Sequence, residues 1–246
     1  MKRLIGTGYF LLTLFVACAA AGDWDATVEG GAVWFGRNDV RIPGDAGTRF
    51  SLLDLTGKGP SAYVRLSATR QFKRRHALRL ALVPFQVAGS GTLDREVVFH
   101  GETFEAGRKT RGTYRFNTYR LAYRYRALET ERQRWGLGLA ALVRDAEIKI
   151  EQDGRSAARD DLGFVPLLHL RGEILLGEHG FLLADIEGAG APQGRAIDAT
   201  IQLGAHMPRG WHGAIGYRML EGGADNDSVY TFACLHHASM SLGRRF

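Results

Sequence analysis

The stretch Val229–Phe246 reads VYTFACLHHASMSLGRRF, and its side chains alternate between two kinds of row. Counting back from Phe246 in steps of two gives a mostly apolar row, made of Phe246, Arg244, Leu242, Met240, Ala238, His236, Cys234, Phe232 and Tyr230. The other row, from Arg245 back to Thr231, is small or polar for most of its length. A period of two is typical of a β-strand whose faces have different surroundings. The end of the chain therefore predicts a strand with one apolar face.

The beginning of the chain has a different character. Met1-Lys2-Arg3 is basic, Leu4–Ala20 is apolar, and Ala19-Ala20-Ala21 supplies small residues before Gly22. This order predicts a secretory signal peptide over residues 1–21, with the mature chain beginning at Gly22. The alternative is a lipoprotein that is lipidated on Cys18, but Ala21 offers an ordinary cleavage site.

The composition of the remaining chain restricts how it can enter a membrane. Cys234 is the one cysteine after residue 21, so an intramolecular disulfide is excluded. No run of 18 or more apolar residues follows the signal peptide, although a membrane-spanning helix requires about that length. A closed β-barrel is the other structure that satisfies its backbone hydrogen bonds within lipid. Its polar lumen also agrees with a hydrophobic content of only 45%.

Period-two alternation recurs along the whole chain and predicts about ten strands. The clearest are Asp25–Arg37, Ser61–Phe72, Gly112–Ala127 and Leu162–Leu176. Short links are predicted at Lys73, Leu128, Gly177 and Pro208, all at the end that carries both termini. Longer loops are predicted at Asn38–Gly59, Val87–Arg111, Glu151–Asp161, Gly188–Gly194 and Glu221–Ser228. Short links at one end and long loops at the other predict an all-β, antiparallel up-and-down transmembrane barrel over residues 22–246, with eight or twelve strands as alternatives.

A terminal aromatic residue after such a strand resembles the C-terminal assembly signal of bacterial outer-membrane β-barrels, and Phe246 holds that position. With the signal peptide and the sorted loops, the chain resembles a small Gram-negative outer-membrane β-barrel protein. The resemblance implies that the protein is located in the outer membrane, that the barrel assembly machinery is a partner, and that the barrel is monomeric.

The inward rows carry many charges, which are the candidate functional residues. They are Glu29, Arg65, Arg79, Arg120, Arg124, Arg144, His169, Arg171, Glu173, Asp185, Glu187, Asp198 and Arg218. Charges in a narrow barrel are costly unless they are paired, so we expect an interior network of ion pairs. Two functions follow from it, a structural plug or a narrow anion-preferring pore lined by the arginine excess. A ten-stranded barrel is small, which favours the plug.

An enzyme is the alternative class. The ten-stranded omptin proteases carry acidic and histidine residues at the outer rim, and the corresponding candidates here are His100, Asp145, Asp160, Asp161, Asp225 and Asp227. Omptin motifs are not found. A lipid A-modifying site would use His236 with Ser239 or Ser241, but alternation places the serines on the opposite face. His236 and His237 cannot share a metal for the same reason. We therefore expect a non-enzymatic protein without a cofactor or a metal.

The net charge of +6 raises the question of anionic partners. The arginines are spread over many segments and form no single basic stripe, and the chain is exported, so nucleic acid is not expected. Phosphates of lipopolysaccharide are the expected anions, together with outer-membrane lipid. The loop residues available for them are Arg37, Arg41, Arg49, Lys58, Arg108, Lys109 and Arg111.

Overall fold

The computed structural model describes residues 23–246, so the predicted signal peptide, residues 1–21, lies outside the described part. The regular structure of this part consists of fourteen strands, a short α-helix and a single 3₁₀ turn. The strands are β1 (Trp24–Arg41), β2 (Phe50–Ser51), β3 (Ser61–Phe72), β4 (His76–Val83), β5 (Gln86–Thr92), β6 (Val97–Phe99), β7 (Glu102–Phe104), β8 (Lys109–Glu129), β9 (Gln133–Gln152), β10 (Arg155–Leu176), β11 (Gly180–Ala191), β12 (Gly194–His206), β13 (Trp211–Asp225) and β14 (Tyr230–Arg245). The helix α1 spans Leu53–Thr56, and the 3₁₀ turn spans Pro208–Gly210.

The strands form a closed antiparallel barrel. Neighbouring wall strands pair in chain order, and β14 pairs with β1 from Asp25↔Arg245 to Arg41↔Tyr230, which closes the sheet. β4 and β5 both pair with β8 and form one wall strand that is interrupted at Pro84 and Phe85. β2 pairs with the end of β1, whereas β6 and β7 form a separate hairpin. The wall therefore has ten strands, which confirms the predicted fold class.

The outer face of the wall is apolar. Leu139, Phe164 and Leu168 expose 62%, 66% and 70% of their surface, and Tyr119, Tyr123 and Tyr125 are also exposed. Side chains of this kind are stable on the outside of a barrel when lipid, and not water, surrounds it. In the described part of the chain, no helix is long and apolar enough to cross a membrane.

The turns at the end that carries both termini are short, and they span residues 73–75, 130–132, 177–179 and 207–210. They agree with the predicted short links, although β8 continues to Glu129, past the turn predicted at Leu128. Short turns are typical of the periplasmic end of outer-membrane barrels. We therefore call this the periplasmic end and the opposite one the extracellular end.

Three of the predicted extracellular loops are wrong. Glu151–Asp161 is a hairpin in which β9 and β10 are joined by Asp153 and Gly154, with φ angles of 50° and 82°. Most of Gly188–Gly194 and the first half of Glu221–Ser228 are also strand, in β11, β12 and β13. From Glu151 to Ser156 the residues on both faces of the hairpin are polar or glycine, so the backbone ladder continues where apolar alternation stops. Asp-Gly is a strong signal for a two-residue hairpin turn, and it was present in the sequence.

The two remaining long segments fold over the lumen. Residues 42–60 contain β2 and α1, where only a short strand or turn near Phe50–Leu55 was expected, and residues 93–108 contain the β6–β7 hairpin. Their backbones bond to each other, with Thr48 N donating to Val98 O at 2.9 Å and His100 N donating to Ile42 O at 2.8 Å. The segments are therefore one folded unit at the extracellular end.

Candidate functional site

Eight charged or titratable side chains meet in the middle of the lumen, and we call them the charge layer. They come from β4, β8, β10, β11, β12 and β13, because alternation turns every second residue of each strand inward. The members are Arg79, Arg120, His169, Arg171, Asp185, Glu187, Asp198 and Arg218. All except Arg171 are buried.

The charge layer is a continuous chain of ion pairs across the barrel. Arg79 contacts Asp185 at 2.6 Å and Glu187 at 2.5 Å, which links β4 to β11 on the far wall. Asp185 also accepts from Arg171 and lies 3.1 Å from His169 Nε2.

The chain continues through Arg120, which lies 3.0 Å from Glu187 and also contacts Asp198. Arg218 binds both oxygens of Asp198, each at 2.7 Å. Two-point contacts of this kind are among the strongest that a guanidinium forms, so the layer is well held.

The other predicted lumen charges lie on either side of the charge layer. Glu29 accepts hydrogen bonds from Tyr63 at 3.1 Å and from Gln202 at 3.0 Å. Arg144 pairs with Asp161 at 2.7 Å toward the extracellular end. Glu173 pairs with Arg134 at 3.0 Å toward the periplasmic end.

Arg65 and Arg124 differ from the rest, because neither has an ion pair or a side-chain hydrogen bond among residues 23–246. Alternation in the sequence predicts that all of the lumen charges, those of the charge layer and those on either side of it, face inward. Their pairing across the lumen was not predicted, since it depends on strand register.

Above the charge layer the lumen is filled by apolar side chains, which we call the apolar cap. They belong to residues 42–60, residues 85–104 and the inner face of the wall, and the buried ones are Val33, Phe35, Val40, Ile42, Phe50, Leu52, Leu55, Phe85, Leu93, Val97, Phe99, Phe104, Tyr114, Ile148, Ile150, Ala157 and Leu235. Phe50 meets Phe99 edge to face at 6.2 Å, and Phe35 meets Tyr114 at 5.7 Å. Sequence reasoning missed the cap, because its aromatic residues stand in irregular, glycine-containing segments.

The predicted rim candidates do not form a catalytic group. Asp145 pairs with Arg115 at 3.0 Å on the outer face of the wall, and Asp161 faces the lumen beside Arg144. Asp225 lies 4.0 Å from Arg41. Asp160 and Asp227 are solvated carboxylates, and His100 is exposed at the β6–β7 turn. In the described chain no histidine lies within 4 Å of any of these carboxylates.

Two further groups of titratable side chains are engaged by their neighbours. His236 points outward and shares a 2.5 Å hydrogen bond with Tyr217, whereas Ser239 is buried on the inner face beside Gln202. His169, Asp185 and Glu187 each place one ligand atom within 4.8 Å of the others. Because the Arg79 guanidinium already bridges the two carboxylates, it supplies the positive charge that a metal ion would supply there.

A cluster of arginines and aromatic rings lies on the outer surface above the apolar belt, and we call it the outer arginine cluster. The guanidinium of Arg49 stacks on Tyr230 at 4.5 Å, and Arg37 and Arg195 stack on Phe232 at 5.2 Å and 5.1 Å. Arg41 also lies over Tyr230. Three of the expected loop arginines stand on strands, Arg37 and Arg41 on β1 and Arg111 on β8, and the expected loop lysine Lys109 begins β8.

Among residues 23–246, Asp39 is the carboxylate that joins two of these arginines. Arg37 Nε donates to Asp39 Oδ2 at 2.9 Å, and Arg49 donates to the same oxygen at 2.8 Å.

The chain terminus lies in an aromatic group at the periplasmic end. Phe246 is 40% exposed, its N–H donates to Trp24 O at 2.8 Å, and Arg244 stacks on both Phe246 and Trp211. Aromatic residues are enriched at such membrane interfaces. The role of Phe246 as an assembly signal stays a prediction.

A closed antiparallel barrel with a lipid-facing apolar belt and a polar lumen defines an outer-membrane β-barrel protein of Gram-negative type, located in the bacterial outer membrane. No family model and no curated protein matches the sequence.

Among solved structures, the chain is similar to the outer membrane protease OmpT from Escherichia coli, with 11% identity over 91% of this chain and 96% of that chain and a TM-score of 0.49. It is also similar to the transport unit of the autotransporter AIDA-I from Escherichia coli, with 7% identity, 97% of each chain covered and a TM-score of 0.44. Neisserial surface protein A matches at 7% identity over 92% of this chain and 98% of that chain, with a TM-score of 0.40.

Proposed function

We propose that this chain is a closed, non-conducting and non-enzymatic outer-membrane barrel whose lumen serves as a stabilising core. The observation that carries the proposal is the charge layer, which runs from Arg79 on β4 to Asp185 on β11 through direct contacts. The apolar cap forms a second barrier above it. An ion would have to break several buried pairs and then cross a hydrocarbon layer, and both steps are costly.

The narrow anion-preferring pore has less support. Such a pore needs arginines that are free to attract a passing anion along the whole path. Arg79, Arg120 and Arg218 instead hold carboxylates within 3.0 Å, so their charge is neutralised inside the protein.

Solute flux into liposomes tests the closed barrel. We expect proteoliposomes with the refolded chain to swell in an isosmotic pentose solution no faster than empty liposomes, because the lumen has no continuous water path. An open porin reconstituted at the same ratio serves as the positive control, and a heat-shifted gel band confirms folding. Swelling of the wild-type sample near the porin rate would contradict the proposal.

The rim-active hydrolase gains no support from the geometry. A general acid–base pair needs a histidine and a carboxylate within hydrogen-bond reach, directly or through one water. His100 is not within 4 Å of any described carboxylate, and the carboxylates of Asp145 and Asp161 face opposite sides of the wall.

We also propose that the barrel is a monomer in contact with outer-membrane lipid and lipopolysaccharide, with the barrel assembly machinery reading Phe246. The outer arginine cluster supports the lipopolysaccharide contact, because Arg41 and Arg195 lie outside the wall, above the apolar belt, with fewer carboxylates than guanidiniums around them.

The variant R41E/R195E is expected to co-purify with several-fold less lipopolysaccharide than wild type. Equal amounts in the two preparations would refute this contact.

A further inference from the structure

A polar cavity of about 280 Å³ lies below the charge layer, at the periplasmic end of the lumen. Its wall includes Arg126 and Arg134, which flank the turn at residues 130–132, and His206 and His212, which flank the turn at residues 207–210. Arg245, the last residue of β14, also lines it. The cavity therefore faces the periplasm, whereas the apolar cap separates it from the outside.

The charges that line this cavity do not balance. Seven arginines and five carboxylates line it. Arg126 pairs with Glu129 at 2.9 Å, Arg134 with Glu173 at 3.0 Å, and Arg79 and Arg171 both with Asp185. Asp25 is held by His212 at 3.0 Å and lies 3.9 Å from Arg245. Arg65, Arg124 and Glu29 have no ion pair in the described chain, and the lining as a whole holds two more arginines than carboxylates.

Arg65 is the more constrained of the two. It is only 8% exposed, and its buried Nε atom has no acceptor. Glu29, the carboxylate across the strand pair, already accepts hydrogen bonds from Tyr63 and Gln202. A buried guanidinium without a partner is costly, so this position favours an anion supplied from outside the chain.

Two glycines of β9 lie next to Arg124. A Cβ atom on Gly136 would lie 2.6 Å from Arg124 Cδ, and one on Gly138 would lie 1.9 Å from Tyr123 O. A side chain at position 136 would therefore collide with the Arg124 side chain, whereas one at position 138 would collide with the backbone of β8. The Arg124 guanidinium lies beside the same cavity that Arg65 lines.

We propose that this cavity is a binding site for a small phosphate-bearing anion, inorganic phosphate or a phosphate monoester, that enters from the periplasm. Guanidinium groups present forked N–H donors that match phosphate oxygens in pairs. A multiply charged anion in this cavity would supply acceptors for the guanidinium donors that line it and would offset the surplus positive charge. The cavity lies at or below the lower size limit of sites for drug-like ligands, which favours a small one.

Isothermal titration of the refolded full-length chain with inorganic phosphate, at an ionic strength held constant with chloride, tests the proposal. We expect saturable binding of one phosphate per chain. Each of R65Q and R124Q is expected to weaken binding by at least about tenfold, because each removes one of two forked donors. R132Q is the matched control, because Arg132 is an exposed arginine in the periplasmic turn at residues 130–132 and does not line the cavity, and it is expected to bind as wild type does.

Two outcomes would overturn the site. One is the absence of saturable binding to the folded wild-type chain, and the other is binding by R124Q that equals wild type. Arg124 is only partly buried and makes no bond that folding depends on, so R124Q keeps the test valid if R65Q fails to fold. If the chain does not bind phosphate, the proposal of a closed barrel still stands, because the charge layer and the apolar cap do not depend on a bound anion.

Discussion

R218M is expected to lower the free energy of unfolding by about 3–5 kcal/mol, which is the usual cost of removing one partner from a buried ion pair. Arg218 is 1% exposed and binds both oxygens of Asp198 at 2.7 Å. Methionine keeps much of the volume but leaves Asp198 buried with Arg120 as its remaining cationic contact. Urea unfolding in lipid vesicles, followed by tryptophan fluorescence, measures the loss.

Two matched variants distinguish the cost of leaving a buried charge without its partner from the cost of losing any ion pair. R195M removes an exposed arginine that pairs with Glu221 at 2.8 Å, and it is expected to cost less than about 1 kcal/mol. The double variant R218M/D198L removes both buried charges and is expected to recover most of the lost stability, because neither member of the pair is left alone and Arg120 keeps Glu187 as its partner at 3.0 Å. A stability of R218M equal to that of R195M would show that the charge layer is not a stabilising core.

L55D is expected to release the apolar cap without unfolding the barrel. Leu55 is 2% exposed on helix α1, where it packs beside Leu52 against Gly112 of the inner wall. An aspartate there would place a charge among hydrocarbon groups, which costs several kcal/mol and favours an open position for residues 42–60. We expect trypsin to cut after Arg49 or Lys58 about 100-fold faster than in wild type, while the wall keeps its heat-shifted gel band.

The neighbouring position supplies the control. Asp54 lies beside Leu55 in helix α1 but is exposed, so D54N changes the charge of the helix without touching the cap. We expect D54N to be cut at the wild-type rate. Cleavage of L55D at that same slow rate would mean that the cap is not held by apolar burial.

Much of the wall was predictable, because a period of two determines which face each side chain takes. Alternation predicts the strand Ser61–Phe72 with the bounds that the structure has, and it places every charge of the charge layer in the lumen. The same rule explains why loops were wrongly predicted at the extracellular end of the barrel. Only from Glu151 to Ser156 are both faces of the hairpin polar or glycine, and there alternation no longer separates strand from loop.

The contacts across the lumen were not predictable from one sequence. Arg79 and Asp185 are 106 residues apart, and their meeting depends on how the strands are staggered around the barrel. The cap depends on tertiary packing in the same way. Phe99 and Phe104 stand in a segment without regular alternation, and they become core residues only because the segment folds inward over the wall.

Single-channel recording of the refolded chain in a planar bilayer tests the central claim most directly. If the charge layer and the apolar cap close the lumen, the wild-type protein is silent across the accessible voltage range, with folding confirmed by its heat-shifted band. Stable conductance steps that favour anions, and whose selectivity changes in R120Q, would contradict the closed barrel and restore the arginine-lined pore.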